Sequence, residues 1–173
     1  DVARRQGAKG GPTRTYERVH CTMPRAGISR YGDRPEAAGP PVLDVRPAMT
    51  VKARVVQVRD IPANTTISYG RTFETAEPTH MAVISMGYAD GYLRTGSGKA
   101  QVLLGGVKAP VLGRICMDMC MVRIPEGVDV HRGDEVTVFG PEGWTAEDAA
   151  DAAGTISYEV LCAISQRVPR FYR

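Results

Sequence analysis

Residues 100–112 read AQVLLGGVKAPVL, two short apolar runs joined by Gly105 and Gly106. Adjacent glycines supply the positive φ angles that a two-residue hairpin turn requires. The stretch therefore predicts a pair of antiparallel strands, Ala100–Leu104 and Val107–Leu112. On its N-terminal side, Met49–Val58 (MTVKARVVQV) sets Val51, Val55, Val56 and Val58 among charged residues, and His80–Met86 (HMAVISM) is an apolar run ended by a turn at Gly87. On its C-terminal side, Met117–Ile124 and Glu135–Phe139 complete a set of roughly six or seven strands.

Helices come late. Thr145 and Asp148 outline a capping box with aspartate in the usual glutamate position, opening an alanine-rich helix to Ala153 with Gly154 as its stop. A second helix is expected from near Thr155 or Ser157 towards Ser165, and Pro169 ends regular structure. There is no internal repeat and no strand–helix alternation, which excludes a doubly wound sheet or a (β/α)8 barrel built from these residues alone. The expected fold class is mainly β with one or two short C-terminal helices.

Composition narrows the function. The 173 residues, 43% of them hydrophobic, suffice for one packed domain. No run approaches the roughly 18 apolar residues that a membrane span needs. Residues 1–20 lack the apolar centre of a signal peptide, so the expected compartment is the cytoplasm. The net charge of +3 is uneven: residues 1–34 carry eight Lys/Arg against three Asp/Glu, and residues 35–173 carry fourteen against sixteen. The basic excess lies in a glycine-containing tail (DVARRQGAKGGPTR) and not in a stripe interleaved with aromatics, so nucleic acid is not an expected partner. Residues 35–47 (PEAAGPPVLDVRP) hold four prolines and read as a connection. Cys116 and Cys120 could be pictured with His131 around zinc, but there is no CxxC pair and a structural site needs four ligands. No metal is expected, and the four cysteines, Cys21 and Cys162 included, read as reduced thiols.

Four segments hold more polar chemistry than a core requires. In Ile67–Thr72 (ISYGRT), the glycine after Tyr69 frees the backbone to aim the phenol outward, and Arg71 follows two residues on. An amphipathic strand end explains the same residues. Gly87–Arg94 (GYADGYLR) has no apolar period and suits a pocket-lining loop, or a simple turn around Asp90-Gly91. Gly113–Val122 (GRICMDMCMV), read as a strand, puts Cys116, Asp118 and Cys120 on one face and Met117, Met119 and Met121 on the other. The methionine face fits a core, and Asp118 among apolar neighbours would need a partner. Thr155–Val160 (TISYEV) places Thr155, Ser157 and Tyr158 at a helix N-terminus, which suits phosphate or capping alone.

Taken in order, ISYGRT, MGYADGYLR, VLGRICMDMCMV, GDEVTVFG and TISYEVLCAISQRVPR resemble the C-terminal β-domain of pyridoxal-phosphate-dependent alanine racemases, and the likeness runs from about Arg25 to the end. The resemblance implies interconversion of L-alanine and D-alanine, supplying D-alanine for peptidoglycan, in a head-to-tail homodimer whose sites draw on both subunits. By that match Tyr69 is one of two catalytic bases, taking the α-proton of L-alanine, while the cofactor-bound lysine takes that of D-alanine. Met117 matches the position whose backbone N–H holds the substrate carboxylate, with Asp118 beside it as support. Tyr88 matches the inner wall of the substrate entrance, and Arg94, Arg114 and Ile156 match residues further out. Tyr158 matches the tyrosine that hydrogen-bonds the cofactor phosphate. Pro24–Gly32 (PRAGISRYG) resembles the end of the family's N-terminal barrel, where Arg25 would face the pyridine nitrogen and Gly27 and Ile28 would offer N–H groups to the phosphate. Ser29-Arg30 stand where the family usually has an apolar pair.

The resemblance divides the chain into residues 1–20, a disordered or foreign tail; 21–44, a barrel remnant and linker; and 45–173, the β-domain, with the (β/α)8 barrel almost entirely missing. None of Lys9, Lys52, Lys99 and Lys108 sits in a segment like the family's lysine motif, so these residues alone are expected to be inactive. Two alternatives stay open: a racemase of serine or of broad specificity, and a β-domain that dimerises without catalysis. Basic-amino-acid decarboxylases of the same two-domain plan lack the tyrosine and the CMD segment in this form.

Overall fold

The computed structural model describes residues 27–32 and 45–172, and the chain divides into two units, Asp1–Met49 and Thr50–Arg173. In the first unit Gly27–Tyr31 form a 3-10 turn with Gly27 at φ 57° and Ile28 buried. The Tyr31 carbonyl accepts the Ala48 N–H at 2.9 Å. Arg25, Cys21 and the tail expected over residues 1–20 lie outside the described residues.

In the second unit, alternation of apolar and charged residues makes β1 (Val51–Ile61). Val51, Ala53 and Val55 point inward, and Lys52 and Arg54 point to solvent. A bulge between Val55 and Gln57 breaks the period, so that Gln57 faces solvent beside Val56 where alternation would turn it inward. That break lets one long strand serve two neighbours. Its first part pairs with β8 (Glu135–Phe139) and its second with β4 (Thr79–Ile84). With β5 (Gln101–Leu104), β6 (Val107–Leu112) and β7 (Cys120–Arg123), the strands close into an antiparallel barrel in the order β1-β4-β7-β6-β5-β8. Closure leaves the barrel without an open edge. A ribbon of β2 (Thr66–Ile67) and β3 (Phe73–Glu74) forms a separate two-stranded sheet.

The hairpin forms as its glycines require, with Gly105 and Gly106 at φ 57° and 81° and Leu104 paired to Val107. Val55, Val102, Leu104, Val122, Val136, Val138 and Phe139 fill the interior, each contributing about 1.5–3 kcal/mol by burial. Helix α1 (Ala146–Ala153) starts at the expected capping box. The Thr145 hydroxyl accepts the Asp148 N–H at 3.1 Å, the Asp148 carboxylate accepts the Thr145 N–H at 2.7 Å, and Gly154 closes the helix at φ 73°. Helix α2 (Ser157–Ala163) follows. Among the described residues no helix is long and apolar enough to cross a membrane.

The strand boundaries differ from expectation in informative places. β1 begins at Val51 and runs on to Ile61, and β4 stops at Ile84, short of Met86. The strand expected over Met117–Ile124 is β7, and it starts only at Cys120. Before it the Cys116 N–H reaches the Met119 carbonyl at 2.9 Å and closes a turn. A turn has no alternating faces, so the expected methionine face does not form. Met121 is buried, whereas Met117 and Met119 are exposed.

Candidate functional site

The ribbon packs on the barrel and presents Tyr69 to solvent. Ile67 is buried in an apolar cluster with Met81, Val83, Leu112 and Met121, and Phe73 packs against that cluster from the other strand. Between these anchors the chain makes a 3-10 turn over Tyr69–Arg71. The turn is strained: Ser68 sits at φ 69° and ψ 179°, Gly70 at φ 73° and Arg71 at φ 50°. The Ser68 hydroxyl donates to the Arg114 carbonyl at 2.7 Å. A Cβ at Gly70 would lie 3.2 Å from the guanidinium carbon of Arg114, so the cation packed against this turn belongs to Arg114. Tyr69 projects from the turn with 72% of its surface exposed, and among the described residues its hydroxyl has no partner.

A second loop, Gly87–Tyr92, lies against residues 116 and 117. The Tyr88 and Ala89 N–H groups donate to the Cys116 and Met117 carbonyls, both at 3.0 Å. Gly87 is required there because a Cβ would come 2.2 Å from the Met117 carbonyl oxygen. The loop is tied internally through Asp90, whose carboxylate accepts the Gly87 N–H at 2.9 Å. Tyr92 plunges inward and donates its hydroxyl hydrogen to the Gln101 carbonyl at 2.9 Å. Burial, and then the neighbouring Cys120, push its phenol well above the ordinary range, so it stays protonated. Tyr88 remains exposed on the same loop. Met117 is 53% exposed, and among the described residues its N–H has no acceptor.

The other candidates stand round these loops. Arg94 opens a 3-10 turn, Arg94–Gly96, and the Ser97 hydroxyl that follows accepts the Ile115 N–H at 3.0 Å, tying the turn to the neighbour of Arg114. Ile156 and Tyr158 lie at the start of α2, partly exposed, and no hydrogen bond joins them to Tyr69 or Met117 among the described residues. Gly27 and Ile28 belong to the first unit, and Arg25 lies outside the described residues. Tyr69, Tyr88, Arg114 and Met117 are thus linked through the Ser68–Arg114 hydrogen bond and the backbone bonds of the Gly87 loop to residues 116 and 117.

Asp118 departs from the expectation that it sits among apolar neighbours. It is half exposed and accepts the Arg167 Nη2 at 2.6 Å, because the turn at Cys116–Met119 carries it out of the sheet. Arg167 also donates its Nε to Asp90 at 2.7 Å, and the Ser165 N–H donates to the Asp90 carbonyl at 3.0 Å. Sequence reasoning assigns no role to Asp90 or Arg167. The one signal for them is that Asp118 calls for a partner, with Arg167 standing in the last of the five matching segments.

The family model described as alanine racemase, C-terminal domain, matches residues 48–172. The chain belongs to the alanine racemase family. The racemase of Desulfovibrio desulfuricans is 47% identical over 153 residues, which are 88% of this chain and 41% of that protein. Among solved structures, the alanine racemase from D-cycloserine-producing Streptomyces lavendulae superposes with a TM-score of 0.90 at 39% identity, covering 100% of this chain and 46% of that one. The alanine racemase from Bartonella henselae with covalently bound pyridoxal phosphate superposes with a TM-score of 0.91 at 31% identity, covering 100% and 48%. The mainly β fold and the resemblance to the racemase C-terminal domain therefore both hold. The chain spans less than half the length of these racemases.

Proposed function

We propose that this chain contributes the C-terminal part of a composite alanine racemase site, in a head-to-tail dimer of complete subunits that makes D-alanine for peptidoglycan in the cytoplasm. The observation that carries this reading is a pair of unsatisfied groups on mutually braced loops: the exposed Tyr69 hydroxyl and the free Met117 N–H. Racemisation removes a proton from one face of the α-carbon and returns it to the other, so it needs a base on each face. Tyr69 takes or returns the proton on the face where L-alanine carries it. The Met117 N–H binds the substrate carboxylate and so fixes the distance between the α-carbon and the phenol oxygen. Tyr88, Arg94, Arg114 and Ile156 line the approach.

The residues fit pyridoxal phosphate. Tyr158 is 38% exposed and its hydroxyl has no partner among the described residues, which suits a phosphate oxygen. By family resemblance Gly27 and Ile28 would offer backbone N–H groups to the cofactor phosphate; in the first unit they begin a 3-10 turn, whose first N–H groups have no partner within it. Arg25 would face the pyridine nitrogen by family resemblance. When bound, the cofactor draws electrons away from the substrate α-carbon so that its proton can leave.

None of this chain's four lysines lies in a segment like the family's lysine motif, so we read the second base as coming from elsewhere. Lys52 pairs with Glu135 at 2.5 Å, and Lys108 lies 5.6 Å from the centre of the Trp144 ring. Lys99 is exposed beside the Arg94–Gly96 turn, and Lys9 lies outside the described residues. The lysine would come from the barrel. That distribution favours a second reading for residues 1–173 by themselves, a β-domain that does not turn over substrate. The barrel also contributes walls to the substrate pocket, so a wider amino-acid range is an alternative within the same mechanism.

The test is Tyr69→Phe in the complete enzyme. L- and D-alanine have equal free energy, so kcat/KM falls equally in both directions, and solvent deuterium separates the faces. D-alanine keeps exchanging its α-hydrogen through the lysine, whereas exchange from L-alanine is lost. Equal retention or equal loss of both exchanges removes Tyr69 from the role. Residues 1–173 mixed alone with pyridoxal phosphate racemise nothing.

A further inference from the structure

Three segments far apart in sequence meet at one guanidinium. Arg167 donates Nε to Asp90 Oδ1 at 2.7 Å and Nη2 to Asp118 Oδ1 at 2.6 Å. Both contacts are charge-assisted, and the planar fork of the arginine fixes their relative direction as a lysine cannot. At one end of the bridge, Asp90 is only 14% exposed and fully engaged. Its second oxygen accepts the Gly87 N–H at 2.9 Å, and its carbonyl accepts the Ser165 N–H at 3.0 Å. At the other end, Asp118 is the residue after Met117, inside the turn that the Cys116 N–H closes on the Met119 carbonyl.

Arg167 itself stands on a rigid base. The Arg170 guanidinium donates to the carbonyls of Ile164, Ser165 and Val168, at 2.7, 2.6 and 2.7 Å, and knots the segment from which Arg167 projects. A Cβ at Gly91 would come 2.4 Å from the Ala163 carbonyl oxygen, so the end of α2 abuts the same loop. The Met117 N–H, free of any acceptor among the described residues, is thus aimed from both sides. The Ala89 N–H holds the Met117 carbonyl at 3.0 Å, and Arg167 holds the side chain of the next residue.

We propose that Arg167 is a positioning residue for the substrate carboxylate: by bridging Asp90 and Asp118 it sets the direction of the Met117 N–H. This rests on the racemase reading above. Arg167 touches no substrate atom and acts through the turn, so it governs how firmly a carboxylate is held and not the proton transfer at Tyr69. The carboxylate of the amino acid is its target, whatever the side chain.

The experiment uses the complete racemase, this chain together with its lysine-bearing barrel, as wild type, Arg167→Gln, Arg167→Lys and Asp118→Asn. Propionate, which has the carboxylate but no amino group, serves as a competitive probe. Arg167→Gln is expected to raise KM for both enantiomers and the inhibition constant of propionate by the same factor, on the order of tenfold, the scale of one lost charge-assisted contact. kcat should change by less than about threefold, and cofactor absorbance and melting temperature should hold. Arg167→Lys, reaching one carboxylate, recovers only part of the loss. Asp118→Asn combined with Arg167→Gln is no worse than the poorer single variant, because both cut one path. Deuterium exchange into the backbone of residues 113–119 and 87–93 should quicken together in Arg167→Gln, with no substrate present. An unchanged KM and propionate constant overturns the proposal, as do a lower kcat at unchanged KM, additive losses in the double variant, or loss of cofactor absorbance. A wild-type enzyme without racemase activity would instead sink the functional reading, while the exchange measurement would still report on the bridge.

Discussion

Ser68 is held at φ 69° and ψ 179° by a 2.7 Å hydrogen bond from its hydroxyl to the carbonyl of Arg114. That backbone region is open mainly to glycine and costs another residue on the order of 1–3 kcal/mol. The bond offsets part of the strain and joins the Tyr69 turn to the segment that leads to Met117. Ser68→Ala keeps the strain and loses the bond, whereas Ser68→Gly loses both. Ser68→Ala should therefore be the less stable of the two, by about 1 kcal/mol, and should lower kcat more than it raises KM. Melting curves and steady-state kinetics of the two variants check the order.

Gly87→Ala places a methyl group 2.2 Å from the Met117 carbonyl oxygen, a backbone atom that cannot swing aside. The loop and the turn must separate, at about 1–3 kcal/mol. The expected result is a melting point several degrees lower together with a raised KM, because the Ala89–Met117 hydrogen bond is lost with the contact. Thermal melting alongside KM determination reads both, and a variant with native KM would show that this packing does not position Met117.

Thr145→Ala removes a reciprocal cap far from the candidate site in sequence. The hydroxyl half of the box goes, the Asp148 N–H losing its acceptor and the Asp148 carboxylate losing one donor, while the Thr145 backbone N–H still donates to that carboxylate. About 1 kcal/mol of stability should be lost with kcat and KM unchanged. Chemical denaturation and kinetics on one sample separate the two effects.

Alkaline pH should weaken the fold. Burial, then the nearby Cys116, push the Cys120 thiol far above its ordinary range, and burial, then Cys120, do the same to Tyr92. Both groups are neutral when folded and ionise once unfolded, from about pH 8.5 for the thiol and about pH 10 for the phenol. The unfolded chain then binds fewer protons, so their contribution is intact below about pH 8.5 and is lost as pH rises beyond it. A urea midpoint flat to about pH 8 and falling by about pH 10 is expected, with a shallower fall in Cys120→Val. Alkylation should mark exposed Cys162 in the native protein and reach Cys120 only on unfolding.

Elements defined by neighbours in sequence are legible in the residues themselves. The hairpin at Gly105-Gly106 and the cap at Thr145 depend on backbone angles and on bonds spanning three residues, which the local residues dictate. Likewise Tyr69, Met117 and Tyr158 stand out because whole motifs carry them. The turn that precedes β7 is not legible. CMDMCM alternates as a strand does, and only the docking of the Gly87 loop on the Cys116 and Met117 carbonyls makes the chain turn there. The bulge at Val56 is hidden too, since a run of valines shows no break where a strand changes partners.

From the sequence by itself come the mainly β character, the late helices, the family and the residue types at the site. Those follow from side-chain pattern, turn chemistry and ordered motifs, all written in the order of the residues. Tertiary structure alone decides that the strands close into a barrel, that Arg114 braces the Tyr69 turn, and that Arg167 bridges Asp90 and Asp118. The hydrogen bonds of Ser68 and Arg167 alone join residues 46 to 77 positions apart. No nearest-neighbour preference encodes them, because each forms only once the packing of the barrel has brought distant loops to the same place.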